Sequence, residues 1–252
     1  MYHSVTFGTK NTWDDWHIIP TTRPIFKPPP LKEKILEIPG GDGIIDLSES
    51  LTGYPVYGNR EGSMEFVVMN GYGEWFERYS DIMDYLHGQR MTVVLEDDIG
   101  YSYSGRFKVN DWKSSANYSS IVIDYSVEPY KWSRFSSIDE WLWNTFNFSS
   151  GIITTAMFKN IPVTTVEISR TYEHNLLGRA PVCPSFIVDT TSQSGVNVRF
   201  INTSMNIDVT KLVPDGTSQI PEFLFYGGTV NLRMSSVSGT GTVSLDFRQG
   251  RL

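Results

Sequence analysis

The sequence predicts a mainly β protein, a β-rich α+β fold with one helix, divided into two domains. Two observations carry this prediction: a composition typical of strands joined by turns, and a series of short alternating segments. Aromatic residues make up 13% of the 252 residues, beside 21 Gly and 13 Pro, as expected for many strands and tight turns. With 40% hydrophobic and 19% charged residues, the chain can form a core and carries too little charge for disorder.

Charge and cysteine content narrow the class of protein. The net charge of -7 argues against a non-specific nucleic-acid binder, which needs a basic excess to replace counterions. Cys183 is the single cysteine, so an internal disulfide and a cysteine zinc cluster are excluded. The first residues lack a basic region followed by an apolar one, and no apolar run approaches about 18 residues. We therefore expect a protein made in a cytoplasm, without signal peptide or membrane insertion.

The N-terminal segments begin with a proline-rich stretch, residues 20–30. It contains Pro20, Pro24, Pro28, Pro29 and Pro30. This density forbids a helix or a central strand and predicts an extended arm or an edge crossing. Residues 36–43 then predict the end of a strand that runs into a glycine loop.

Residues 70–88 are the best helix candidate. An apolar stripe at spacings of four, four and three residues is formed by Trp75, Tyr79, Met83 and Leu86. This spacing predicts one helix face packed on the core. Asn70 is a candidate start cap, and Gly88 is a candidate for the residue just after the helix.

A β-meander is predicted next, with strands at 91–96, 101–109 and 118–128 and a turn at 97–100. In the last strand Ile121, Ile123, Tyr125 and Val127 alternate with polar residues. Period two with one polar face is typical of a half-buried antiparallel strand. We place the end of the first domain, 1–133, after this unit.

The second domain, 134–252, is predicted as a β-sandwich because candidate strands recur roughly every 8–12 residues between Gly, Pro and Asn. No convincing helical period occurs from residue 144 onward. The candidate strands are 144–149, 151–157, 163–171, 182–188, 195–201, 205–210, 222–226, 229–234 and 241–247.

Catalytic signatures are missing from the sequence. The four histidines show no zinc-site spacing, and no nucleophile elbow or phosphate-loop pattern occurs. Cys183 lies in an apolar strand, where an inert buried thiol is expected. Asp97 and Asp98 are adjacent on a turn and cannot bracket one bond by themselves, so we interpret them as solvated turn residues. We expect no catalytic residue, no metal and no cofactor.

An acidic and aromatic cluster follows the first domain, with Asp139, Glu140, Trp141, Trp143 and Phe146. So many large aromatic residues exceed the needs of a linker. They either dock the two domains or form a partner surface, since both kinds of contact use the same residue types.

One stretch resembles a known family. Residues 38–53 contain P-G-G-D-G followed by D-L-S-E-S-L-T-G, and Y-G-N-R follows at 57–60. This pattern, with a strand and a helix after it, resembles the distal tail (Dit) proteins of siphophages and prophages. Many relatives have Arg where this chain has Gly41, which puts a charged role of that position in doubt. The resemblance implies ring or partner contacts at Pro39, Gly40, Asp42, Gly43, Asp46, Leu47, Glu49, Gly53, Tyr57, Asn59 and Arg60.

The resemblance implies a structural role at the tip of a virion tail. Such proteins have an N-terminal belt domain and a C-terminal galectin-like β-sandwich. They form a hexameric ring between the tail tube protein and a tail-associated lysin or fibre protein, and receptor-binding proteins attach at the periphery. Six copies at -7 each carry -42, and an acidic lumen would let DNA pass without specific binding. A basic lumen would contradict this hypothesis.

Two other classes of function stay open at this stage. A carbohydrate-binding module could recognise host cell-wall glycans by aromatic stacking. Its candidate platform is Trp141, Trp143, Tyr172 and Tyr226, residues that would serve equally well in a core or a subunit contact. A hydrolase of the cell envelope would need convergent carboxylates or a metal site, and the sequence shows neither.

Overall fold

The computed structural model describes residues 2–68, 75–114, 118–139, 155–173 and 178–252. The chain divides into two compact units: residues up to Lys131, together with Leu252, and Trp132–Arg251. Each unit has its own hydrophobic cluster. The boundary after residue 133 stays a prediction about independently folding domains.

The described residues of the first unit form nine strands, one helix and one 3₁₀ turn. The strands are β1 (Val5–Phe7), β2 (Lys10–Asn11), β3 (Ile18–Pro20), β4 (Ile35–Glu37), β5 (Ile44–Asp46), β6 (Arg60–Val68), β7 (Arg90–Leu95), β8 (Tyr101–Ser114) and β9 (Ser119–Val127). The helix α1 is Trp75–Leu86, and the 3₁₀ turn is Glu96–Asp98. Seven of these strands, all except β4 and β5, pair as antiparallel neighbours in one sheet, in the order β2-β1-β7-β8-β9-β6-β3.

One face of this sheet carries the first core. The predicted alternation in β9 is confirmed, because Ile121, Ile123, Tyr125 and Val127 are all buried. They pack with Phe7, Phe66 and Phe107 in one cluster. Period-two alternation thus places a whole row of side chains on the inner face.

Helix α1 covers this core, as the apolar stripe predicts. Leu86 is fully buried, while Trp75, Tyr79 and Met83 are partly buried against the cluster. Ile82 is also fully buried and lies outside the predicted stripe. The helix ends at Leu86, and Gly88 has a φ of 75°, which agrees with its predicted place after the helix. The proposed start cap Asn70 lies outside the described residues.

The proline-rich segment crosses the core as an extended strap, and Pro20 lies in the edge strand β3, where proline is tolerated. Phe26 is buried and meets the ring of Tyr103 at 4.3 Å and that of Tyr125 at 4.8 Å between centroids. The backbone N–H of Lys27 donates to Tyr125 Oη at 3.0 Å. The strap is thereby pinned to the sheet.

The 3₁₀ turn ties several segments together through its carboxylates. Glu96 accepts a hydrogen bond from the Ser4 N–H at 2.7 Å. Asp97 pairs with Arg23 at 2.9 Å and with His3 at 2.8 Å, and Asp98 pairs with Lys131 at 2.6 Å. The interpretation of Asp97 and Asp98 as merely solvated is therefore wrong, because partners from distant segments converge on this turn.

The pairing of Asp97 is expected to make the stability of the first unit depend on pH. The hydrogen bond from Arg23 holds the pKa of Asp97 below its usual value of 3.8. Its contribution to stability is therefore complete above that value and is lost as the pH falls through the lower folded pKa. We expect Asp97→Asn to speed amide exchange in Val5–Phe7 by roughly threefold to tenfold at neutral pH. The control is Asp111→Asn, whose exposed pair with Lys113 predicts no change in exchange. Equal exchange rates in both variants would contradict the proposed stabilisation by Asp97.

The described part of the second unit forms ten short strands, the first of which begins at the boundary residue Lys131, and a four-residue helix. The strands are β10 (Lys131–Ser133), β11 (Ile161–Val163), β12 (Ile168–Glu173), β13 (Ser185–Thr190), β14 (Val196–Asn202), β15 (Ile207–Val213), β16 (Gly216–Gln219), β17 (Thr229–Ser236), β18 (Gly241–Asp246) and β19 (Gly250–Arg251). The helix α2 is Thr155–Phe158. Two antiparallel sheets, β11-β18-β13-β16 and β12-β17-β14-β15, share one core, so this unit is a sandwich.

Aromatic rings fill the sandwich. Phe225 is fully buried and packs at 6.0 Å from Phe200 and 5.4 Å from Phe247. Phe223 stacks on Phe200 at 5.3 Å. Residues of both sheets and of the segment between β16 and β17 thus build one core.

Several predicted elements of this unit are wrong. Residues 155–157 belong to α2, although a strand was predicted over 151–157, and 163–171 is split between β11 and β12. Residues 222–226 form no strand; only an isolated bridge joins Phe225 to Val182. β16 and β19 were not predicted. The strand predicted over 144–149 lies outside the described residues.

Candidate interaction surface

Strands β4 and β5 form a separate two-stranded hairpin between the strap and β6. Leu36 lies directly opposite Ile45, and Glu37 lies opposite Ile44. At the base the Lys32 N–H donates to the Val56 carbonyl at 2.8 Å. We call residues 31–57 the arm. A two-stranded hairpin of this length is marginal in water without further packing.

One face of the arm is apolar and exposed. Leu36 and Ile45 are paired and therefore share a face. Ile38 and Leu47 lie one residue beyond the ends of β4 and β5, and continuing the alternation of side chains places them on the same face. These four side chains are 50%, 41%, 51% and 38% exposed, respectively. Contiguous exposed apolar surface of this kind marks interaction sites in soluble proteins. We call this set the apolar arm face.

The arm also carries most positions of the family motif. Pro39, Gly40, Asp42 and Gly43 lie at its exposed tip. Gly40 and Gly43 have φ values of 81° and 82°, a region in which side chains larger than glycine are strained. These glycines therefore explain the tight turn.

The strand after the tip is fixed by local hydrogen bonds. Asp46 Oδ1 accepts from the Ser48 N–H at 2.8 Å, and the hydrogen bonds from Ser48 lower the pKa of Asp46. The Gly53 N–H donates to the Glu49 carbonyl at 2.7 Å. Glu49 and Gly53 are exposed, so they stay candidates for partner contact.

At the root of the arm the motif residues face the body of the unit. The Tyr57 ring packs edge-on against Tyr130 at 6.0 Å, and Asn59 Nδ2 donates to Ser126 Oγ at 3.2 Å. Arg60 is 5% exposed. The burial of Arg60 contradicts its prediction as a residue that presents its side chain to a partner.

Of the candidate glycan platform, Trp141 and Trp143 lie outside the described residues. Tyr172 is 1% exposed, and its hydroxyl donates to the Met157 carbonyl at 3.2 Å. Tyr172 borders a cavity of about 340 Å³, but its ring stacks on Phe158 at 4.8 Å. It was predicted as a stacking platform, and this is wrong because both its ring and its hydroxyl serve the core. Tyr226 is partly exposed and keeps its place only as a prediction.

Cys183 Sγ lies 3.0 Å from the Ile220 carbonyl, and burial raises the pKa of this thiol, although the residue is only partly buried. In the described ranges, no three His, Cys, Asp or Glu side chains converge as a metal site. Nor does any helix in these ranges have the length and apolar character needed to cross a membrane.

Sequence reasoning named Leu47 on the apolar arm face but missed Leu36, Ile38 and Ile45. The available signal was the pair of apolar runs on either side of the glycine turn. Because each strand has three residues, neither run shows enough alternation to stand out alone.

This architecture, a sheet with one helix and an arm followed by a sandwich, is similar to that of phage tail hub proteins. One similar solved structure is the SPP1 Dit (gp 19.1) protein, described as a paradigm of the hub adsorption apparatus in phages that infect Gram-positive bacteria. The match has a TM-score of 0.60 at 12% sequence identity and covers 100% of both chains. The likeness shows the fold over the whole chain.

Two further comparisons found nothing: no family model matches the chain, and no curated protein matches it.

Proposed function

We propose that this chain is a structural hub protein at the distal end of a phage tail and not an enzyme. The observation that carries the proposal is the likeness to a hub protein along the full length of both chains. Fold alone does not define function, so the surface of the chain must support the same role. The apolar arm face, which the isolated chain leaves exposed, supplies that support.

The arm is suited to a contact between copies. Fully burying an exposed Leu or Ile side chain stabilises by about 1.5–3 kcal/mol; the four side chains of the apolar arm face are about half exposed, so covering each one would contribute roughly half of that value. An arm that reaches from one copy to a different patch on the next makes a heterologous contact, which generates rings when the rotation closes. We propose a ring of six copies, held in part by these arms.

The remaining partners follow from the hub role. One ring face would meet the tail tube protein, and the other the tail-associated lysin or fibre protein. The C-terminal sandwich, which we take as galectin-like, would radiate outward and could carry receptor-binding proteins. The protein would be made in the bacterial cytoplasm and be located at the tail tip of the virion. DNA would cross an acidic lumen without specific binding.

The absolute mass in solution tests the ring. Light scattering after size-exclusion chromatography, over a concentration series, should show a species near 172 kDa, six times the 28.6 kDa chain mass. Negative-stain images of that species should show a central hole. A chain that stays monomeric, alone and after mixing with its tail tube protein, would contradict the proposal.

A further inference from the structure

Arg60 is a buried cation whose partners among the described residues are all uncharged. Its Nε donates to the Pro129 carbonyl at 2.9 Å, and its Nη1 donates to the Lys27 carbonyl at 3.0 Å. The guanidinium lies over the Tyr103 ring at 5.8 Å. Within the described ranges, Nη2 is buried without a hydrogen-bond partner. Burial lowers the pKa of Arg60, because desolvation disfavours the charged form.

The two carbonyls place Arg60 at the root of the arm. Lys27 lies on the strap, just before the arm begins, and Arg60 is the first residue of β6, just after the arm returns. Pro129 follows β9, the neighbour of β6 in the sheet. One guanidinium therefore joins the entry of the arm, its exit and the sheet behind both.

The arm and its root are connected as one piece. The Gly58 N–H donates to the Pro30 carbonyl at 2.8 Å, and the Lys32 N–H donates to Val56. Entry and exit chains are thus paired from residue 30 outward. Because the entry and exit chains are paired, holding Lys27 through Arg60 also holds the arm.

A second contact pins the same residue. The Lys27 N–H donates to Tyr125 Oη, and that hydroxyl occupies the space beside Gly62, where a Cβ would approach it to 2.5 Å. Lys27 is therefore held at both its N–H and its carbonyl. The contact from Arg60 differs from the contact with Tyr125, because Arg60 itself lies at the exit of the arm.

We propose that Arg60 is a positioning residue that fixes the direction in which the arm leaves the first unit, and that this direction is needed for ring closure. The second half of this inference rests on the proposed function; the first half does not. Arginine suits the task because its planar fork has several donors in fixed directions. A lysine ammonium on a flexible stem offers one point of attachment in place of that fork.

Distances between spin labels test the first half in the monomer. One label is attached at Glu37→Cys on the arm and the other at Lys108→Cys on β8, in a full chain carrying Cys183→Ser. The parent should give one narrow distance distribution. Arg60→Met and Arg60→Lys should broaden it by about twofold or more, with the thermal transition of the second unit unchanged. The control Arg90→Met removes an exposed arginine paired with Glu128 and should leave the width unchanged.

Assembly of the unlabelled variants tests the second half. If only about one tenth of the arms point correctly, the concentration for half-assembly rises about tenfold. A third chain, in which an Asn-Gly turn replaces residues 33–55, reports on the arm itself. Assembly of this armless chain would overturn the arm-mediated ring while leaving the label distances interpretable.

The outcomes test separately the positioning role of Arg60 and its importance for the ring. Broad distances together with weaker assembly would support the inference. Narrow distances in both Arg60 variants would overturn the positioning role, and broad distances with unchanged assembly would overturn its importance for the ring. Should Arg60→Met fail to fold, Arg60→Lys keeps the charge and decides the question by the same readouts.

Discussion

The double variant Leu36→Asp/Ile45→Asp is expected to convert the proposed ring into monomers. The two side chains lie opposite each other on the apolar arm face and are about half exposed in the isolated chain. Because about half of each side chain is already covered in the isolated chain, losing the rest of their burial removes of order 1.5–3 kcal/mol from each contact. This loss alone weakens each contact by a factor of roughly 10 to 10², and the new carboxylates, buried without partners, weaken it further. Light scattering at a fixed concentration measures the result.

The other face of the same hairpin supplies a matched control. Ile35 and Ile44 are exposed as well, but they alternate with Glu37 and Asp46 on a mixed face. The variant Ile35→Asp/Ile44→Asp adds the same charge to the same strands. We expect it to assemble like the parent. Equal loss of assembly in both variants would show that added charge, and not the apolar arm face, is responsible.

The second large effect is expected from Phe225→Ala in the sandwich. Phe225 is fully buried among Phe200, Phe247 and Tyr172. Removing a buried phenyl ring from such a core lowers the free energy of unfolding by about 3–5 kcal/mol, because a cavity replaces the lost contacts. Chemical denaturation, followed separately in each unit, measures the change.

The same variant tests whether the two units unfold independently. Residues up to Lys131 have a separate core, so their transition should keep its midpoint while the transition of the second unit moves. Leu224→Ala, a change at a partly exposed neighbour, should have a smaller effect on either transition. A common shift of both transitions after Phe225→Ala would contradict the predicted division into independent domains.

Sequence periodicity predicted elements in which one face alone is buried. In β9 the residues from Ile121 to Val127 alternate without interruption, and burial follows the same period. Helix α1 showed its stripe for the same reason, although Ile82 was missed. An amphipathic pattern records which side of an element meets the core, and this information is local.

Elements that depend on distant contacts were not predictable in this way. Phe223 and Phe225 are fully buried, but their segment contributes side chains to the core of the sandwich without forming a strand. Helix α2 has four residues, too few to be stable alone, and Phe158 is held by its contact with Tyr172. The sequence predicted strands over 222–226 and 151–157, whereas the backbone conformation at these places was set by tertiary packing.

The sequence predicted the turn of the arm but not its apolar face. The motif located the tip of the arm, since Gly40 and Gly43 are recognisable turn residues. The apolar arm face depends on register, because Leu36 meets Ile45 only once the turn has set the pairing. The resemblance implied a ring or partner contact for Arg60, whereas its hydrogen-bond partners are carbonyls that are 33 and 69 residues away along the chain.

The anchored root of the arm also bears on whether assembly ends. A head-to-tail contact repeated between identical copies stops at a fixed number only when the angle between neighbours closes the circle; at another angle the same contact grows into an open helical filament. In the proposed ring, the angle held by Arg60 would therefore limit the particle size as well as position the contact. A finite ring and an open filament would then differ in the angle at which the arm leaves the first unit.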